Sequence, residues 1–118
     1  MIDKYLETGK YFIASINGEQ CKTIESFLDE IGKAFSFPKH YGRNMNALKD
    51  CINDLDWINK DNYILIINNF ESFIIKNKED REDVIKFLNR VSEEWRNVPN
   101  YEGEDESRKK SDFVIVQN

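Results

Sequence analysis

With 118 residues, 40% of them hydrophobic, and eight Phe, five Tyr and two Trp, the chain can form one domain with its own core, which excludes global disorder. Its formal charge of −5, from 22 acidic against 17 basic residues, repels phosphate backbones, so no direct nucleic-acid binding is expected and encounter with a basic protein partner is favoured. No apolar run is long enough for a membrane span, and the opening MIDKYLETGK lacks a signal-peptide core.

YFIASI, residues 11–16, is aromatic and β-branched and ends at Asn17-Gly18, which predicts a strand and a turn. From Thr23, a plausible N-cap, the period becomes helical: Ile24, Phe27, Leu28, Ile31 and Phe35 share one stripe, and Pro38 closes that helix or the loop after it. Asn44 is a natural cap for a second helix whose inner stripe runs Met45, Leu48, Cys51 or Ile52, and Leu55. YILIIN, residues 63–68, is an uninterrupted apolar run, as a central strand requires. FESFII, residues 70–75, fits either a short helix or an extended piece. A longer helix starts near Lys78, with Val84, Phe87, Leu88, Val91 and Trp95 on its stripe. Residues 97–112 are polar, contain Pro and Gly, and read as an exposed loop; FVIV, residues 113–116, is the last strand. The order strand, helix, helix, strand, helix, strand predicts a small single α/β domain with a largely parallel three-stranded sheet flanked by helices.

Phosphate-binding glycine loops, zinc spacings and a nucleophile elbow are missing from the sequence, and no cofactor or metal is expected. Asp50, Asp54 and Asp56 lack the glycine and terminal glutamate of a calcium loop and read as a solvated helix end. Cys21 and Cys51 fit idle thiols of a reducing, cytoplasmic compartment better than a metal knuckle or disulfide. His40 could in principle activate Cys51, but helical spacing turns that thiol toward the core. On the outer face of the second helix, Asn46, Asp50 and Asn53 lie at i, i+4 and i+7, with Lys49 at the margin. That face is either plain solvated surface or a hydrogen-bonding patch whose carboxylate suits a basic pocket on another protein.

INGEQ, residues 16–20, and FPKHYGRNMNALKDCI, residues 37–52, carry a resemblance in fixed register. They are similar to the first turn and the inhibitory loop-and-helix of the barstar family, intracellular inhibitors of an extracellular ribonuclease. The similarity spans residues 11–96 and the last strand, with residues 1–10 as an N-terminal extension. It implies a three-stranded parallel sheet, no catalytic activity, and a monomer that binds a ribonuclease or nuclease-type toxin as an immunity protein. The aspartate that such inhibitors place in the enzyme's phosphate site is matched by Asp50; Tyr41, Gly42, Asn44 and Ala47 match the surrounding loop and helix. Asn46 replaces a second aspartate, His40 a tyrosine, Lys49 a tryptophan, and Arg90 a glutamate of the later helix. His40, Arg43, Asn46 and Lys49 are therefore the positions where partner specificity is expected. The alternative is a binding module of the same fold whose partner is not a nuclease.

Overall fold

The computed structural model describes residues 11–97 and 111–118. In chain order they form β1 (Tyr11–Asn17), a 3-10 turn (Gly18–Gln20), α1 (Ile24–Ala34), α2 (Met45–Ile52), β2 (Asn62–Asn68), a second 3-10 turn (Phe70–Ser72), α3 (Lys78–Arg96) and β3 (Phe113–Gln117). The three strands make one sheet in the order β1-β2-β3, parallel throughout. The apolar run of β2 is thus the central strand, with Tyr63, Ile64, Leu65 and Ile67 buried.

Parallel register puts paired residues on the same face. Phe12, Ala14 and Ile16 align with Tyr63, Leu65 and Ile67, and Phe113 and Ile115 continue two of those rows. Six of the eight belong to the core cluster, against which Phe12 and Ile115 pack half-buried; it also takes in Phe27, Leu28 and Ile31 of α1, Leu48 and Ile52 of α2, and Val84, Leu88, Val91 and Trp95 of α3. Phe35, fully buried, is stacked between Phe37 and Phe113 (centroids 6.1 and 5.9 Å) and tilts against Phe12 at 5.7 Å.

Each helix begins at a side-chain cap. Thr23 and Ser26 form a reciprocal capping box on α1, and Asn44 and Asn77 accept from Ala47 N–H and Asp80 N–H on α2 and α3. The turn after β1 requires glycine for space: a Cβ on Gly18 would lie 2.2 Å from the Asn69 carbonyl oxygen.

Three details differ from the expectations drawn from periodicity. α2 ends at Ile52, so Leu55 reaches the core from a turn, at φ 53°, its N–H donating to Cys51 O. Residues 70–75 combine the two alternatives rather than following one: a single 3-10 turn over residues 70–72 leads into extended Phe73 and then Ile74, both buried, with Ile74 N–H donating to Cys21 O at 2.7 Å. Ser111, at the end of the stretch read as an exposed loop, is buried because its N–H bonds Trp95 O; residues 98–110 of that stretch and residues 1–10 lie outside the described residues. No helix among the described residues is long and apolar enough to cross a membrane. Cys21 and Cys51 are both free and buried.

Candidate functional site

The loop between α1 and α2 turns sharply at both ends. Ser36, just past the last turn of α1, and Arg43, just before the cap of α2, both adopt left-handed backbone, at φ 54° and 56°. Between them Phe37 N–H donates to Gly32 O at 2.9 Å and Tyr41 N–H to Pro38 O at 3.0 Å. The Phe37 ring meets Tyr41 edge-to-face at 4.8 Å and Trp57 at 6.0 Å, while the Trp57 indole donates to Phe35 O at 2.9 Å.

Tyr41 is the loop's strut. It is half-buried, and its hydroxyl donates 2.8 Å to Leu28 O on α1. The ring fits because residue 32 has no side chain: a Cβ there would lie 2.8 Å from Tyr41 Cε2. Burial, with smaller contributions from Cys51 and Asp29 opposed by Arg43, pushes the phenol up to about 12. Tyr41, matched to the family's contact loop on sequence, thus spends its hydroxyl inside the protein.

Arg43 is tethered from the same side, its Nε 3.5 Å from Asp29 Oδ1, while Lys33 Nζ approaches Asp29 Oδ2 at 3.3 Å. Asp29, Lys33, Phe37, Lys39, Tyr41 and Arg43 line much of a cavity of about 270 Å³ under the loop. Gly42 is exposed, and a Cβ on it would crowd the Asn44 amide nitrogen at 3.1 Å. Asn44 commits its side-chain oxygen to the cap, 2.8 Å from Ala47 N.

α2 has two distinct faces. Leu48, Cys51 and Ile52 point into the core, and Trp95 of α3 pins the far end by donating its indole N–H to Ile52 O at 3.0 Å. Asn46, Lys49 and Asp50 are exposed, with Ala47 and Asn53 half-buried at the flanks and His40 exposed on the loop. His40, Gly42, Arg43 and Asn44 are therefore exposed on the loop, and Asn46, Lys49 and Asp50 on the helix that follows it. Arg90 is exposed on a different element, α3, which reaches α2 through Trp95, five residues further along.

Electrostatics disfavour thiol chemistry here. Burial, then the nearby Asp50 and Asp54 carboxylates, push the Cys51 thiol up, so it holds its proton and offers His40 no thiolate. Burial and repulsion from Asp56 raise the Asp54 carboxyl in turn. No group of three or more potential metal ligands occurs among the described residues. Asp29, Gly32 and Trp57 escaped the sequence reading; the one local signal was a glycine inside a helix, which marks close approach of another group.

α2 thus presents a carboxylate flanked by amides on a helix whose end is held by Trp95, beside a loop braced by Tyr41. The family model described as "Barstar (barnase inhibitor)" matches residues 11–116. The chain belongs to the barstar family. A relative from Bacillus subtilis (strain 168), named "Putative ribonuclease inhibitor YrdF", is 30% identical over 81 residues, which cover 69% of this chain and 86% of the relative.

Proposed function

We propose that this protein inhibits a ribonuclease by covering its active site, with Asp50 entering the position that a substrate phosphate would take. The observation that carries the reading is Asp50 itself, exposed at the centre of the outer face of α2 in a chain of this family. A ribonuclease gathers cationic side chains to hold phosphate oxygens, and those cations repel one another when the site is empty. A carboxylate set among them makes charge-assisted hydrogen bonds and relieves that repulsion. Asn46 and Asn53 add neutral donors and acceptors to the same face. The loop is braced by Tyr41, Phe37 and the Asp29–Arg43 pair, so little ordering is needed on binding.

In a cell such an inhibitor acts as the cytoplasmic immunity partner of a nuclease-type toxin, binding one enzyme molecule as a monomer and turning nothing over. The test is titration of ribonuclease activity with the natural chain and with Asp50→Ala, with barnase as the enzyme. Stoichiometric inhibition is expected, with a loss of at least about 2 kcal/mol, or roughly thirtyfold in Kd, for Asp50→Ala at unchanged thermal stability. Equal inhibition by both chains refutes the role of Asp50.

A further inference from the structure

The strands pair in chain order, β1-β2-β3, all parallel, so both crossovers step the same way across the sheet. Right-handed crossovers then put α1, α2 and α3 on one face, where all three share a core with the rows of Ala14 and Ile16. The opposite face of the sheet carries two other rows, Ile13–Ile64–Val114 and Ser15–Ile66–Val116. Five of those six side chains are apolar and none is charged. Parallel sheets are normally covered on both faces. Ile64 is fully buried, yet it stands apart from the core cluster, as its outward direction requires. Ile13, Ile66, Val114 and Val116 are half-buried. The polar groups at one end are spent on one another: Asn68 Nδ2 donates to Ser15 Oγ at 3.0 Å, and Asn118 Nδ2 to Asn68 Oδ1 at 2.8 Å. At the other end Tyr11 points to the same side as Ile13, and its hydroxyl reaches Asp112 Oδ2, two strands away, at 3.5 Å. The first described side chain thus already leans across this face.

We propose that this face of the sheet is the docking surface for residues 1–10 of the same chain. That segment runs directly into β1 and supplies Met1, Ile2, Tyr5 and Leu6. Three strands about 4.8 Å apart make a face roughly 14 Å wide. Ten residues can span about 33 Å, so the segment is long enough to cross it. A second copy of the chain is the wrong size of occupant. Five residues of strand length give the face an area of roughly 240 Å², against about 800 Å² that each partner of a stable pair buries. The sequence of residues 98–110, with seven charged side chains, is unsuited to an apolar surface. Covering the face removes apolar area from water and so stabilises the domain. It lies on the side of the sheet away from α2, so its cover leaves Asp50 free, and the proposal stands independently of the inhibitor reading.

Methyl NMR of the natural full-length chain is the test. Nuclear Overhauser contacts are expected between the methyls of Ile64, Ile66, Val114 or Val116 and the side chains of Met1, Ile2, Tyr5 or Leu6. In a mixture of isotope-labelled and unlabelled chains they should stay within one chain. Absence of these contacts, contacts between chains, or contacts from residues 98–110 in their place overturn the proposal. Urea unfolding supplies a second measurement. Ile2→Ser combined with Leu6→Ser should raise the unfolding constant roughly tenfold. In an Ile66→Ser background, where the apolar contact is already impaired, the same pair should raise it much less. An equal rise in both backgrounds, or no rise in either, also overturns the proposal.

Discussion

Gly32→Ala puts the loop's bracing to a direct test, because general expectation and this structure predict opposite signs. In a helix interior, exchanging glycine for alanine normally stabilises by about 1 kcal/mol. Here the new methyl would lie 2.8 and 3.0 Å from two atoms of the Tyr41 ring and 3.6 Å from Phe37. The ring cannot swing away cheaply: its hydroxyl is bonded to Leu28 O and its face is met edge-on by Phe37. Overpacking of this kind costs about 1–3 kcal/mol, and giving up the hydroxyl bond about 1 more. The helix gain is outweighed, and a net loss of about 1–3 kcal/mol is expected, read as a lower urea midpoint at unchanged slope. The decisive comparison is Gly32→Ala made in a Tyr41→Ala background. With the ring gone the clash is gone, and the same substitution should there stabilise by about 1 kcal/mol. A Gly32→Ala variant more stable than the natural chain, or one that shifts stability equally in both backgrounds, refutes the strut.

The thiol of Cys21, fully buried, is pushed up to about 12 by burial and then by Glu30, from an unfolded value near 9. The folded chain holds that proton more tightly, so the stability it contributes is whole below pH 9 and is lost as pH rises toward 12. Tyr41 adds a like loss between 10 and about 12. Urea unfolding from pH 8 to 11 should show stability falling with pH, and a shallower fall in Cys21→Ala; parallel slopes would rule out the thiol. Asn44→Ala removes the acceptor of Ala47 N–H and should cost about 1 kcal/mol, measurable by thermal unfolding. It should also weaken ribonuclease inhibition, because the cap orients the first turn of the presenting helix.

Much of the fold was legible because its signals are local. Thr23 and Asn44 have the chemistry of caps, and both cap. The apolar run of residues 63–68 has no polar side to expose, and it lies at the centre of the sheet. The site was legible as letters in register: helical spacing turned Cys51 inward and left Asn46 and Asp50 outside, where the structure has them. What escaped were features made by parts of the chain that meet only on folding. Tyr41 on a polar loop looks like a contact residue, and only Leu28 O, thirteen positions away, reveals where its hydroxyl goes. Leu55 continues the stripe of α2 by spacing, yet a left-handed turn delivers it to the core. Periodicity records which face is apolar; it does not record where the backbone leaves the helix.

The division of α2 into two faces bears on how such a protein can change over generations. Leu48, Cys51 and Ile52 hold the helix to the domain, Trp95 holds its end, and none of them touches the outer face. Substitutions at exposed positions such as Asn46 and Lys49 should therefore leave stability within about 0.5 kcal/mol. The exposed positions of α2 can thus vary almost independently of its buried ones. An inhibitor made this way can follow a drifting enzyme one letter at a time without passing through unfolded ancestors.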